Sequence, residues 1–240
     1  MLRSRQPSSP ALMANRDAYR ILIPQKALAR AKTRLRAVLG PEDRVWLTVQ
    51  LLRRTLAVCR QLTDATGVVV VGPAEVEPLA REFGAQLAPG GMGGMRRDVT
   101  ATARRPCPRG ECALLVVSSD LPLVNESDLR RVVEQWRLGY ELVLAPDRRR
   151  RGTNVMLVDR PEVFPFAFGG ALGQGSFATH FSQAVGTGVS VQVLELPTLA
   201  LDLDLPADLA AFVRQAPDDP LAQYCLAHAR ESFLNQAPSA

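Results

Sequence analysis

The sequence of 240 residues is poor in aromatic residues and in histidine, and each shortage argues against certain classes of function. Aromatic residues make up only 5%, too few for a platform on which single-stranded nucleic acid stacks. The net charge of +5 comes mainly from arginines spread along the chain, so we expect a small anionic substrate and no nucleic acid as partner. The two histidines, His180 and His228, disfavour a multi-histidine metal site and leave carboxylates as the expected metal ligands.

Long apolar runs and closely paired cysteines are also lacking. No apolar stretch approaches the roughly 18 residues that cross a bilayer, and the basic start of the chain lacks the apolar segment of a secretory signal. Of the four cysteines, Cys107 and Cys112 have neither CxxC spacing nor histidines nearby, which argues against a zinc site. We therefore expect reduced thiols in a cytoplasmic protein that has no membrane partner.

Short apolar runs alternate with amphipathic stretches, which predicts an α/β fold of three layers, Rossmann-like, with a mostly parallel mixed sheet. We interpret residues 1–18 as a flexible leader, 19–215 as one domain, and 216–240 as a helical or partly ordered tail. Apolar positions in the tail are candidates for packing on a second copy in a homodimer. They are Leu221, Leu226, Phe233 and Leu234.

The strands are expected at 20–24, 67–72, 113–120, 140–146, 153–158 and 189–197, the last as an edge strand because it alternates. The helices are expected at 41–62, 76–84, 127–137, 175–185 and 206–215. In the first helix, apolar residues step by four and three and predict one buried stripe. That stripe is Val45, Val49, Leu52, Leu56 and Cys59.

A basic segment follows the first predicted strand, at the sheet edge where such folds bind ligands. Lys26, Lys32 and Arg34 together could neutralise a triphosphate, and the alternative is a solvated basic loop. The chain contains neither GxxxxGK[ST] nor GxGxxG, so the phosphate site is not a Walker loop and a nicotinamide enzyme is disfavoured.

Acidic residues at two places are candidate ligands for a divalent cation, which prefers hard oxygen donors. Asp120 ends the strongest predicted strand, and capping of the next helix explains it poorly because Pro122 intervenes. Asp202 and Asp204 lie two residues apart in an extended segment and would share a face. Asp202 is the better candidate, since orienting the segment before Pro206 explains Asp204 at least as well.

Two further segments are weaker anion-site candidates. Arg148–Arg151 suit a solvated loop better than a phosphate clamp, while Gly152, Thr153 and Asn154 could present N–H groups and a hydroxyl to an anion. The turn GQGSFATH opens a helix whose N-terminus could bind an anion, although Ser176 could act only as a helix cap and His180 only in packing.

Taken together, LIPQK…AKTRL, VVSSDLP, PDRRRRGTN, GQGSFATH and LALDLDLPADL resemble the 2-phospho-L-lactate guanylyltransferase family. That family is related to the molybdenum-cofactor guanylyltransferases and acts in making the deazaflavin coenzyme. The resemblance runs from about residue 20 to 215 and keeps the motif order. It implies a nucleotidyltransferase fold and a Mg²⁺-dependent reaction of GTP with a small phosphorylated carboxylic acid, which releases pyrophosphate. The acid is 2-phospho-L-lactate, phosphoenolpyruvate or 3-phosphoglycerate.

The resemblance also implies three sets of site residues. The catalytic set is Lys26, Lys32, Asp120 and Asp202, of which the two acids bind Mg²⁺. The nucleotide-binding set is Lys26, Lys32, Arg34 and Arg96. The acceptor-binding set is Thr153, Gly173 and Ser176.

One departure from the family concerns a pair of residues that relatives carry after their third strand. Relatives carry a leucine-asparagine pair near the nucleotide base, and this chain has Met95-Arg96. The alternatives are therefore a nucleotidyltransferase for molybdopterin or a sugar phosphate, or a nucleotide-binding regulator without activity.

Overall fold

A seven-stranded sheet in the order β3-β2-β1-β4-β6-β5-β7 runs through the part of the chain that the structure describes. The structure is a computed structural model that describes residues 16–90, 94–107, 112–168 and 175–230. All strands run in one direction except β6, so the predicted mostly parallel mixed sheet is confirmed. The strands are β1 (Tyr19–Pro24), β2 (Val68–Gly72), β3 (Gln86–Pro89), β4 (Ala113–Val117), β5 (Leu142–Pro146), β6 (Thr153–Val158) and β7 (Val191–Val193).

Helices cover both faces of this sheet and complete the three predicted layers. Each described α-helix begins near a proline or a small or polar residue, as helix starts commonly do. They are α1 (Pro41–Cys59), α2 (Glu77–Glu82), α3 (Met95–Ala103), α4 (Glu126–Arg137), α5 (Ser176–Thr187), α6 (Pro197–Ala200), α7 (Pro206–Gln215) and α8 (Pro220–Ala227). Short 3₁₀ turns lie at Leu28–Arg30, Thr33–Ala37 and Ala74–Val76.

Alternation along the central strands divides the core between the two faces. Ile21 and Ile23 of β1 pack with α1, α2 and α4 on one face, while Leu22 packs with α3 and α5 on the other. Each of these side chains is fully buried. The sheet therefore separates two apolar layers.

A third apolar cluster joins the tail to the domain. Leu221 and Cys225 of α8 are buried against Leu47 and Leu51 of α1 and Phe212 of α7. Leu221 thus packs within its own chain and is not presented to a second copy. Leu226 also packs on this cluster, while Phe233 and Leu234 lie outside the described residues.

The buried stripe of α1 differs from the prediction. Val45 and Val49 are only half-buried, whereas Leu47 and Leu51 are completely buried together with Leu52. The prediction was wrong at the two valines because the first turns of α1 pack on α8, which sequence periodicity alone does not reveal.

Three further elements differ from the expectations. The short edge strand β3 and helix α3 were not predicted, and the strand expected at 189–197 ends at Val193, before α6 begins at Pro197. The position of β7 at the sheet edge agrees with its alternation.

The expectation of reduced thiols is wrong for one pair of cysteines. A disulfide joins Cys107 to Cys112, whose Cα atoms lie 6.3 Å apart, within the range that a disulfide spans. Cys59 and Cys225 are free and buried, and burial raises the pKa of each thiol to about 12. No helix in the described ranges combines the length and the apolar character needed to cross a bilayer.

The burial pattern of α1 gives a direct test. We expect Leu52→Ala to lower the free energy of unfolding by about 2–5 kcal/mol, because it empties a fully buried site. The matched change Val49→Ala, on the half-buried side of the same helix, should cost about 1 kcal/mol. Urea unfolding at equilibrium measures both, and equal losses would contradict the observed stripe.

Candidate active site

The candidate site lies at the point where the strand order of the sheet reverses. β1 is flanked by β2 on one side and by the parallel strand β4 on the other. After β1 the chain continues to β2 on one side of this pair, and after β4 it continues to β5 on the other side. In open α/β sheets a crevice forms there, beyond the carboxyl ends of the strands. Lys26 follows the end of β1 and Asp120 follows the end of β4, so the topology brings both to this crevice.

A cleft of about 250 Å³ occupies the crevice and brings together most of the predicted charged residues. Lys26, Lys32, Arg34 and Asp120 all line it. Two residues that the sequence predictions left out or gave a lesser role, Arg30 and Asp204, line it as well. Arg30 lies between Lys26 and Lys32 in the same basic segment and could have been included with them.

Lys32 is the central cation of this cleft. Its ammonium group lies 2.7 Å from a carboxylate oxygen of Asp120 and 3.3 Å from one of Asp204, and only 5% of its side chain is exposed. Burial alone would lower the pKa of Lys32, but the two carboxylates outweigh it and raise the pKa above its ordinary value. Lys32 is therefore a permanent positive charge between two acids.

The backbone of Lys32 adopts a conformation that is rare for its residue type. Its φ of 53° places it in the left-handed region, where a residue with a side chain is strained by roughly 1–2 kcal/mol. The 3₁₀ turn Thr33–Ala37 begins immediately after it. Such strain persists only where surrounding contacts maintain it, and here the two ion pairs do so.

Three carboxylates form a cluster beside the cleft, which two of them, Asp120 and Asp204, line. Asp120, Asp202 and Asp204 each offer an oxygen, and these atoms all lie within 4.8 Å of one another. A backbone hydrogen bond of 3.2 Å from Leu203 to the carbonyl of Asp120 ties the two acidic segments together. The predicted pairing of Asp120 with Asp202 in space is therefore present, with Asp204 as a third member.

The two acids of the second segment differ in environment. Burial and then the neighbouring acids, Asp120 first, raise the pKa of Asp202 to about 7. Burial would also raise the pKa of Asp204, but Lys32 lowers it below its ordinary value. Asp202 thus has surplus negative charge around it, whereas Asp204 is compensated.

The chemistry of this donor set fits a divalent cation such as Mg²⁺. Oδ1 of Asp202 is buried and has no hydrogen-bond partner within the described ranges. A hard cation takes carboxylate oxygens as ligands and would satisfy that oxygen, while its charge would relieve the repulsion among the three acids. The residues therefore fit the metal that the sequence predicts.

Arginines of the tract 148–151 serve within the protein, as three ion pairs show. Arg148 and Arg149 both pair with the buried carboxylate of Asp208, and Arg150 pairs with Glu195 at 2.6 Å. All four arginines of the tract are exposed, which agrees with the solvated loop considered from sequence, and the pairing of Arg148 and Arg149 with Asp208 adds to that interpretation. Asp208 was missed because its partners lie about 60 residues away along the chain.

Two of the three predicted acceptor residues, Thr153 and Ser176, lie at the same edge of the sheet but outside the cleft lining. Because β6 runs antiparallel to β4, its first residue, Thr153, lies near the end of β4. The backbone N–H of Thr153 donates to the hydroxyl of Ser176 at 2.9 Å, and both residues are buried. Ser176 is the first residue of α5 and Gly175 is its cap, while Gly173 lies outside the described residues. Their role as acceptor ligands stays a prediction.

His180, one turn further along α5, is hydrogen-bonded to Thr153 and to Ala167. Its Nε2 accepts the backbone N–H of Ala167 at 2.8 Å, so the proton is on Nδ1, which donates to the hydroxyl of Thr153 at 3.0 Å. Burial lowers the pKa of His180 to about 4. The imidazole is therefore neutral and structural, in agreement with the packing interpretation considered from sequence.

Arg96 does not join the other predicted nucleotide ligands. It lines a separate groove on the outer side of α3, beside Arg97, Arg104 and Phe164. The residue of α3 that reaches the cleft is Met95. The role of Arg96 in nucleotide binding stays a prediction.

A second pocket, of about 390 Å³, continues from the cleft and is more apolar. Pro24, Val71 and Met95 line it together with Gly72 and Gly90. The two glycines are in close contact, since a Cβ on Gly90 would lie 2.9 Å from the Cα of Gly72. A more apolar pocket next to a charged cleft suits a planar ring that carries a phosphate chain.

Comparison with protein families gives a match over most of the chain. The family model described as "Guanylyl transferase CofC like" matches residues 19–224. A phosphoenolpyruvate guanylyltransferase of Rubrobacter xylanophilus is 37% identical over 193 residues, which cover 79% of this chain and 90% of that protein. A 3-phospho-D-glycerate guanylyltransferase of Colwellia psychrerythraea is 28% identical and covers 79% and 88%.

Solved structures match in fold at low sequence identity. A putative nucleotide-diphospho-sugar transferase from Desulfovibrio desulfuricans superposes with a TM-score of 0.74 at 14% identity, covering 92% of this chain and 99% of that one. A 4-diphosphocytidyl-2C-methyl-D-erythritol synthase superposes with a TM-score of 0.57 at 16% identity, covering 84% and 99%. These likenesses confirm the predicted nucleotidyltransferase fold.

The burial of the His180 imidazole predicts how the free energy of unfolding depends on pH. The unfolded chain protonates His180 near its ordinary pKa of 6.5 and the folded protein only near 4, so stability is lost as pH falls from 6.5 towards 4. The full loss from this group is about 3 kcal/mol. Urea unfolding across this window should show a weaker pH dependence for His180→Gln than for the unsubstituted protein.

The protonation state of His180 can also be measured in the unsubstituted protein. NMR of the imidazole in the folded protein at pH 5 should show the neutral ring with the proton on Nδ1. A protonated ring at that pH would contradict the structural role assigned to His180.

Proposed function

Because the chain belongs to the family of CofC-like guanylyl transferases, we propose that it joins GMP from GTP to a small phosphorylated carboxylic acid in deazaflavin coenzyme biosynthesis. Pyrophosphate is the second product. The observation that carries the proposal is the cluster of Asp120, Asp202 and Asp204 beside Lys32, at the crevice of a nucleotidyltransferase fold. Relatives named for phosphoenolpyruvate reach 37% identity and a relative named for 3-phospho-D-glycerate is 28% identical, which favours phosphoenolpyruvate as the acceptor.

The reaction requires alignment and charge stabilisation more than proton transfer. A phosphate monoester is already anionic at neutral pH, so an oxygen of the acceptor's phosphate attacks the α-phosphorus without a general base. The bond between the α- and β-phosphates breaks, and pyrophosphate leaves with the bonding electrons. Fixed positive charge around the phosphates and a fixed orientation of the two substrates supply the rate enhancement.

The cations of the cleft are arranged to bind the triphosphate. Lys26 and Arg30 are exposed and form no ion pair within the described ranges, so both are free to contact phosphate oxygens. Arg34 lies 3.7 Å from Asp204 and also faces the cleft. Lys32 lies deeper, where its ammonium group can bridge between the acids and a phosphate.

The three acids would hold Mg²⁺, which neutralises negative charge on phosphate oxygens when bound. Asp120 comes from the segment after β4 and the other two from the segment between α6 and α7. Donors from two separate segments would hold the ion and limit its movement relative to either segment. Burial and the neighbouring acids raise the pKa of Asp202, so the positive charge would stabilise the ionised form of this carboxylate most.

The apolar pocket next to the cleft is the proposed site of the guanine ring. Pro24, Val71, Gly72 and Gly90 give it a more apolar lining than that of the cleft, and Met95 stands where relatives carry leucine. The proposal extends to a cytoplasmic location, since GTP and phosphorylated metabolic acids are cytoplasmic substrates. Self-association stays a prediction.

Pyrophosphate release tests the reaction directly. With Mg²⁺ and GTP, we expect release in the presence of phosphoenolpyruvate, and little with 2-phospho-L-lactate or 3-phosphoglycerate. ATP and CTP should be poor replacements for GTP. Tight GTP binding without pyrophosphate release from any acid would contradict the proposal and favour a regulator without activity.

Asp202→Asn separates activity from stability. The change removes one of three mutually repelling charges, so we expect the free energy of unfolding at pH 8 to rise by about 1–2 kcal/mol. Pyrophosphate release should fall at least about 100-fold, because a ligand for the cation is lost. Asp218→Asn, at an exposed acid of the α7–α8 loop, is the matched control and should change neither quantity. Retained activity in Asp202→Asn would remove Asp202 from the site.

A further inference from the structure

A buried carboxylate behind the acid cluster connects the two loops that border it. Asp208, in the first turn of α7, is completely buried. Its Oδ2 accepts the backbone N–H of Leu205 at 2.7 Å and that of Asp204 at 3.2 Å. Its Oδ1 accepts from the guanidinium groups of Arg149, at 2.8 Å, and of Arg148. One oxygen thus holds the acidic segment while the other faces the arginine loop.

The arginine loop is itself firmly held. Oδ1 of Asp147 accepts the backbone N–H groups of Arg149 at 3.1 Å and Arg151 at 2.8 Å. The backbone N–H of Arg148 donates to the carbonyl of Ala200 at 2.9 Å, just before the acidic segment. The guanidinium groups therefore extend from a fixed backbone, and they can fix Asp208 in turn.

We propose that Asp208, held by Arg148 and Arg149, positions the backbone of residues 202–205 so that the carboxylates of Asp202 and Asp204 converge on the divalent cation. This inference rests on the proposed function. Asp208 does not reach the cleft and acts through the acidic segment, so it is a positioning residue. The bond to Leu205 alone would suffice for a cap of α7, whereas the bond to Asp204 and the two arginines also join Asp208 to the acidic segment and to the arginine loop.

The alternative is that the arginines act on the site only as nearby positive charges. Arg149 is close enough to Asp202 for their charges to interact. Removing a cation beside three acids would, by Coulomb's law, make them bind a divalent cation more tightly. Removing a positioning contact would make them bind it more weakly, so the sign of the change separates the two roles.

The experiment measures Mn²⁺ binding to the full-length protein without nucleotide, by electron paramagnetic resonance of the free ion. We expect Arg149→Gln to weaken Mn²⁺ binding about tenfold, as changes to groups that orient metal ligands commonly do. Asp208→Asn should weaken it at least as much. Arg150→Gln is the matched control, since Arg150 is in the same loop but pairs with the exposed Glu195, and its Mn²⁺ affinity should stay within about twofold of the unsubstituted value.

Amide hydrogen exchange gives a second reading of the same contacts. The N–H groups of Asp204 and Leu205 should be protected in the unsubstituted protein and should lose protection in Arg149→Gln. If Asp208→Asn fails to fold, Arg149→Gln decides the question, because the side chain of Arg149 is 35% exposed and tolerates change more readily.

Unchanged or tighter Mn²⁺ binding in a folded Arg149→Gln protein would overturn the proposal, even if the two amides lose protection. Absence of Mn²⁺ binding by the unsubstituted protein would overturn it as well. Failure of the proposed function looks different: Mn²⁺ binds and weakens in Arg149→Gln as expected, yet no acid supports pyrophosphate release with GTP.

Discussion

Mutual repulsion among Asp120, Asp202 and Asp204 is the constraint on which the rest of the site depends. Their oxygens lie within 4.8 Å of one another in a partly buried place, where like charges interact far more strongly than in water. Lys32 compensates Asp120 and Asp204 directly, and it adopts a strained backbone to do so. Asp202 forms no ion pair within the described ranges, and burial, followed by the neighbouring acids, raises its pKa to about 7. The incomplete compensation is what makes the cluster suited to a divalent cation.

The sheet brings these charges together through its topology. β1 and β4 are neighbours in space although α1, β2, α2, β3 and α3 separate them in sequence. Their carboxyl ends therefore supply Lys26 and Asp120 to the same crevice. The reversed strand β6 adds its amino end to the same edge, which places Thr153 close by. A site of this kind needs no dedicated domain, only loops at one edge of a rigid sheet.

Sequence reasoning found the parts of the site that are tied to strand ends. Lys26 and Asp120 could be placed because apolar runs mark strands and the residues that follow them lie at a known edge. Asp204 was given a lesser role, since an acid before Pro206 is also explained by local chain geometry. Asp208 and its arginines could not be predicted, because contacts between loops about 60 residues apart leave no periodic signal. Helix α3 was missed for a related reason: its polar sequence MRRDVTATA has only Val99, Thr102 and Ala103 buried, which is too little for a clear stripe.

The contacts of Lys32 also tie the site to the completed fold. Its two acidic partners lie 88 and 172 residues away along the chain, so both ion pairs close very long loops. Closing loops of that length costs more entropy than forming a hairpin such as β5–β6. The unfolded chain therefore has the separate acids but not the cluster. A ligand that recognises the cluster binds the folded chain alone and raises its stability by mass action.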